Sequence, residues 1–148
     1  MTDQLERVAQ YERDREKQAA QAFQQAQQFV TQQRQKLSNL EQYRLEYLRS
    51  IQVNGKAGVG AKHYHQHLSF VGKLDSACQQ QQQHISRAVL AADQRKRQWL
   101  AQQQRCKAVE LLLEKRHLVK QKKEARQEQA MMDEFATQRF FRARKSAF

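Results

Sequence analysis

The chain has 148 residues with no proline, only 4 glycines and 28% charged side chains, which sets one domain as the upper bound. Hydrophobic residues, tyrosine included, make up 39% of it, against roughly 45–50% apolar residues in an average globular domain, and 28 residues are glutamine. A large enzyme core is not expected, and neither is a β architecture: three of the four glycines, Gly55, Gly58 and Gly60, share one six-residue window instead of recurring at the short intervals that turns require. The composition suits long exposed helices with one break.

The net charge is +12 and is unevenly spread. Residues 1–60 hold 9 Lys and Arg against 7 Asp and Glu, whereas residues 61–148 hold 18 against 8. Such a field attracts nucleic acid, an anionic membrane or an acidic protein surface. Cys78 and Cys106 lie 28 residues apart. On one helix a rise of about 1.5 Å per residue separates them by about 42 Å, too far for an internal disulfide. The first residues lack the apolar run of a signal peptide, and no stretch approaches the roughly 20 apolar residues of a membrane span, so a reducing cytoplasm is the expected compartment.

In chain order, Asp3 with Glu6 three residues later has the spacing of a helix start, the first accepting from free amides and the second reaching back. The first helix is expected over about 3–53, since no stop signal precedes Asn54-Gly55. Leu5, Val8, Ala19, Phe23, Ala26, Val30, Leu37, Leu40, Tyr47 and Ile51 form one apolar stripe, interrupted by Gln33 and Arg44. Residues 54–60 are a glycine hinge, and a second helix is expected over about 62–140. Within it Val71, Cys78, Ile85, Ala92, Trp99, Cys106 and Leu113 recur every seven residues without a charged exception. That is a heptad seam, while the companion positions Leu74, Gln81, Ala88, Arg95, Gln102, Val109 and Arg116 are mixed.

The expected fold is therefore all-α, an antiparallel two-helix coiled-coil hairpin with a longer second helix. A turn near Ala57 sets Tyr47 opposite His67, Tyr43 opposite Val71, Leu40 opposite Leu74 and Leu5 opposite Val109. Some 30 residues beyond about Val119 then have no helix facing them, and the apolar pattern fades there into Lys120, Gln121, Lys122, Lys123 and Glu124. This tail is expected to run on as a solvated helix or to fray. A two-helix hairpin buries little surface for its length, so modest stability and dependence on a partner follow.

Catalytic patterns are missing from the sequence. His63, His65 and His67 form an HxHxH run in which the outer pair has metal-site spacing on a helix, but no nearby Cys, Asp or Glu completes a ligand set. The Gly55 to Gly60 segment lacks the GK[ST] ending of a phosphate loop, and no paired carboxylates or Cys/His pair suggest chemistry that a two-helix fold could enclose. No enzyme activity, cofactor or metal is expected. The Gln79 to Gln83 run falls inside the heptad register and reads as a solvated helix face.

Three surfaces remain. The densest basic stretch runs from Arg95 to Arg126 and is opposed only by Glu110, Glu114 and Glu124; an acidic protein partner is favoured over a plain solvated face, and that over nucleic acid, because the seam already claims Trp99, its one aromatic. Near the hinge, Tyr43 and Tyr47 are i, i+4 neighbours with Leu40, Phe70 and Leu74 brought alongside. With Leu45 and Leu48 they exceed what one neighbouring helix covers, which argues for a partner-binding patch alongside a locally thicker core. In the tail, Met131, Met132 and Phe135, followed by Phe140, Phe141 and Phe148 among Arg139, Arg142, Arg144 and Lys145, give a basic amphipathic end suited to protein or membrane.

The segment Leu40-x-x-Tyr43-x-x-Glu46-Tyr47, the glycine break, Tyr64 to Phe70 to Leu74, the heptads through Trp99 and Leu113, and Met132-Asp133-Glu134-Phe135-Ala136 together resemble the flagellar FliJ family. The resemblance covers most of residues 5–136. It implies a cytoplasmic component of the flagellar type III export apparatus, an antiparallel coiled coil similar to the central stalk of rotary ATPases. Such a protein sits in the pore of the hexameric export ATPase and promotes ring assembly. It also links the ring to the cytoplasmic domain of the export-gate membrane protein, at the cytoplasmic face of the inner membrane at the flagellar base, and binds export chaperones. Carried onto this chain, the resemblance assigns Leu40, Tyr43, Tyr47, Phe70 and Leu74 to the gate, and Arg116, Lys120, Lys122, Lys123, Met132 and Phe135 to the ATPase ring. The rival expectations are a basic nucleic-acid-binding coiled coil and a generic homo-oligomeric scaffold.

Overall fold

The structure, a computed structural model, describes the backbone of residues 2–56 and 60–146 and the side chains of residues 4–53 and 60–146. It contains two α-helices, α1 (Thr2–Lys56) and α2 (Ala61–Ser146), and no strand among the described residues. The helices pack against each other as a helical hairpin with a longer second helix. The turn expected near Ala57, with Gly58, lies outside the described residues.

Both helices outrun their expected limits. Asn54-Gly55 does not end α1, which continues to Lys56; a glycine inside a helix costs about 1 kcal/mol relative to alanine, a weak stop beside the absolute one that proline supplies. At the start of α2 the Gly60 carbonyl accepts from the amides of His63 (3.1 Å) and Tyr64 (3.3 Å), which makes it the cap. The tail is helical to Ser146, whose hydroxyl donates to the carbonyls of Arg142 (3.1 Å) and Ala143 (3.0 Å) in the last turn. The glutamines contribute locally. Gln10 bonds Asp14, Gln35 bonds Asn39, Gln121 bonds His117 and Gln129 bonds Asp133, all at i, i+4 on exposed surface. Pairs of this spacing stabilise an isolated helix by about 0.2–0.5 kcal/mol each.

The chain divides into two compact units: residues 15–102, and residues 1–14 together with 103–148. In the first unit, the inward positions of α1 step by three and four through Glu16, Ala19, Phe23, Ala26, Val30, Gln33, Leu37, Leu40, Arg44, Tyr47 and Ile51, every one buried or half-buried. Gln33 and Arg44 are thus seam residues, not interruptions. Val30, Ala88 and Ala92 form the buried cluster, with Ala26 and Val89 packed on it. Phe23 stacks on Trp99 with ring centroids 5.7 Å apart. On α2 the companion positions Leu74, Gln81, Ala88 and Gln102 are buried, deeper than Val71, Cys78, Ile85 and Trp99 of the sevenfold run. Arg95, the other companion position in this unit, stays exposed, because a lone charge resists burial.

A buried polar layer crosses this unit. Gln81 Nε2 donates to the Gln33 backbone carbonyl (2.9 Å) and to Gln33 Oε1 (2.8 Å), with both residues less than 10% exposed. Tyr47 meets His67 as the outward count from the hinge requires, and Gln33 to Gln81 obeys the same count. Val30, however, packs on Ala88 and Ala92, and Phe23 on Trp99, farther along α2 than the count gives. The offset grows from none at Gln33 to eight residues at Phe23, more than two helical turns, so the two helices do not advance residue for residue away from the hinge.

In the second unit, Ala9 is 1% exposed and Val8 46%, so the α1 stripe runs through Leu5, Ala9 and Glu12 rather than through Val8. Ala9 lies seven-residue steps back from Phe23 and Val30, and the heptad phase decides between the neighbours. Cys106 is buried opposite them, with Val109 and Leu113 half-buried. Neither Cys78 nor Cys106 is in a disulfide. Arg13 Nε donates to Glu110 Oε1 at 2.8 Å, where the outward count predicts Ala101.

Candidate interaction surfaces

The aromatic patch is built by the seam of the 15–102 unit. Tyr47 faces inward, its ring 4.7 Å from Phe70 in an edge contact and 5.5 Å from His67, and its hydroxyl bonds His67 Nδ1. Phe70 also takes the edge of Tyr43 at 6.4 Å. Phe70 thereby ties both tyrosines together. One turn beyond, Arg44 Nε donates to Asp75 Oδ1 at 2.6 Å, which closes the flank of the patch with a partly exposed ion pair.

Exposure sorts the residues expected to meet the gate. Tyr43 is 50% exposed, Leu40, Tyr47 and Phe70 are half-buried, and Leu74 is 7% exposed. Leu74 is thus a buried seam residue, and Tyr43 is the most exposed of the five. Leu45 is exposed and Leu48 half-buried. Sequence reasoning passed over Leu68, which is exposed on α2 one turn from the exposed Tyr64. The i, i+4 spacing of an aromatic and a leucine ahead of the seam was the signal for it.

The histidine run is divided by the helix. His67 turns to Tyr47 while His63 and His65 are exposed, and no group of three or more potential metal ligands occurs among the described residues.

Distal α2 is organised differently. The line of inward positions that ends at Leu113 continues at the same spacing through Arg116, Lys120 and Lys123, all exposed, as is Lys122. None of the four forms an ion pair among the described residues. Met132 and Phe135, 68% and 66% exposed, lie three residues apart on one side of the helix. The sequence-predicted ATPase-ring residues therefore share one solvated helix, the cations on one segment and the apolar pair about two turns beyond. In the ion pair of this unit, whose two side chains are about half exposed, the hydrogen bond to Glu110 holds the Arg13 guanidinium above its ordinary pKa, with desolvation opposing and the Glu110 charge adding to it.

With two bare helices, an aromatic patch and an unopposed basic segment described, the comparison with protein families is decisive. The family model for the flagellar FliJ protein matches residues 1–145. The chain belongs to the FliJ family. Comparison with curated proteins and with solved structures returned no match. FliJ membership makes this a coiled-coil protein related to flagellar export, in a family that acts as a non-enzymatic component of that process. No helix of the described residues is long and apolar enough to cross a membrane.

Proposed function

We propose that this chain is a stalk-like, non-enzymatic component of the flagellar type III export apparatus. It binds the export ATPase ring, promotes its assembly and activity, and links it to the cytoplasmic domain of the export-gate membrane protein, working at the cytoplasmic face of the inner membrane at the flagellar base. It also interacts with export chaperones. FliJ family membership over residues 1–145 carries the reading. The two surfaces support it, because each has the chemistry of a separate contact. Tyr43 with Phe70, Tyr47, Leu40 and the buried Leu74 offers aromatic anchors for the gate. Arg116, Lys120, Lys122 and Lys123, with Met132 and Phe135, offer cations and adaptable apolar side chains for an acidic surface of the ring.

The test is ATP hydrolysis by the cognate flagellar export ATPase with and without this protein, at physiological salt and with nucleic acid excluded. A rise in rate accompanied by hexamer formation is expected, and it is expected to be lost on truncation after Lys115. The truncated chain keeps every cross-helix contact described above, so failure to fold does not explain a loss. Unchanged stimulation by the truncated chain removes the tail from the interface, and no stimulation by the folded full chain overturns the stalk reading. Nucleic-acid affinity that falls steeply with salt and ignores Tyr43→Ala and Tyr47→Ala identifies the rival basic binder instead.

A further inference from the structure

The last turns of α2 carry a chemistry that the ATPase and gate contacts leave unused. Between residues 138 and 146 there are four cations, Arg139, Arg142, Arg144 and Lys145, and no carboxylate. Phe140 and Phe141 are 64% and 55% exposed and meet edge to face with centroids 6.2 Å apart. At 3.6 residues per turn, Ala136, Phe140 and Ala143 fall along one stripe with Arg139 beside it, while Asp133 and Glu134 lie two turns earlier, in line with Phe140 and Phe141 respectively. The segment is helical throughout and every side chain in it is exposed.

We propose that this end of α2 binds directly to an anionic phospholipid surface. Charge complementarity selects lipid phosphate as one half of the match, since four cations stand together without an internal acid. The placement of the aromatics selects a bilayer over a protein groove. Phe140 and Phe141 project about 100° apart around the helix, so a groove that grips one stripe takes one ring and leaves the other wet. A headgroup boundary that admits an amphipathic helix to a depth of about 5–10 Å accommodates both. The arginines suit it as well, because their apolar stems lie along the acyl boundary while the guanidinium groups reach phosphate. The inference does not rest on the proposed ATPase contact, which uses residues up to Phe135.

The experiment is flotation of the full chain with vesicles of phosphatidylcholine alone and of phosphatidylcholine mixed with phosphatidylglycerol. Binding is expected to the anionic vesicles only and is expected to weaken as salt rises. Each cation near such a surface contributes about fivefold, so Arg139→Gln with Arg142→Gln is expected to lower partitioning by about 25-fold. Phe140→Ser with Phe141→Ser is expected to lower it by at least about tenfold. Circular dichroism should show both variants as helical as the parent, since neither changes a packed residue. Equal binding to both vesicle types overturns the proposal, as does full binding by either variant. If no vesicle binds and sedimentation shows a dimer that the phenylalanine variant abolishes, the surface is a contact between copies and the lipid assignment falls.

Discussion

The buried contact between Gln33 and Gln81 offers a test of how the hairpin is held, because its two hydrogen bonds respond differently to the two possible truncations. Gln81→Ala removes the donor of both bonds. Gln33→Ala removes only the Oε1 acceptor and leaves the backbone carbonyl of residue 33 available to Gln81. With about 1 kcal/mol for each net intramolecular hydrogen bond, Gln81→Ala is expected to cost about 2 kcal/mol and Gln33→Ala about 1 kcal/mol. The double variant is expected to cost about 2 kcal/mol, not the sum, because Gln81→Ala already abolishes the bond that Gln33→Ala would break.

Urea unfolding followed by circular dichroism measures all four proteins, at a fixed concentration so that association does not enter. The partners are 48 residues apart in sequence, so the cycle reports closure of the hairpin and not the propensity of either helix. Additive costs would show that the two side chains act independently and that this contact does not organise the seam. Equal costs for the single variants would show that the bond to the backbone carbonyl contributes nothing.

Two further predictions follow from other parts of the fold. Gly72 lies inside α2, and a Cβ built there has no heavy atom within 4 Å, so Gly72→Ala is expected to stabilise the protein by about 0.5–1 kcal/mol in the same assay; destabilisation would mean that the position is occupied or strained. Because the hydrogen bond to Glu110 holds the Arg13 guanidinium above its ordinary pKa, Arg13 stays charged through the neutral and alkaline range, and on the alkaline side the pairing is lost only as pH climbs through the raised value. The difference in melting temperature between the parent and Arg13→Gln is therefore expected to be the same at about pH 7 and about pH 10, and a difference that shrinks between them contradicts the assignment.

The fold was legible because the three-and-four stepping of apolar residues from Ala19 to Ile51 and the sevenfold run from Val71 to Leu113 point to one pairing and the glycine window to one break. Where the stepping carries polar residues, legibility failed for identifiable reasons. Glu12 and Glu16 hide the heptad phase near the start of α1, so Val8 looked like a seam residue and Ala9 did not. Gln33 looked like an interruption because its partner, Gln81, becomes visible only once the register is known. The register itself depends on a turn whose geometry no residue pattern specifies. At the aromatic patch, the meeting of Tyr47 with His67 followed from counting outward, since little error accumulates so close to the hinge. The split between the exposed Tyr43 and the buried Leu74 needed the helix phase as well.

The passage from Leu113 to Arg116, Lys120 and Lys123 along one helical line bears on which partners distal α2 accepts. An apolar continuation would invite a second copy of the chain to zip along it, because a/d positions are the ones that coiled coils pair through. Cations at those positions make that pairing repulsive, and two such helices side by side would bring six like charges onto a shared seam. A partner helix or strand edge rich in carboxylates meets the opposite situation and gains at every position where a second copy loses. The same substitution of charge for apolar side chains therefore keeps the unopposed helix from self-association and leaves it selective for an acidic surface. This is the property that the proposed contact with the ATPase ring requires.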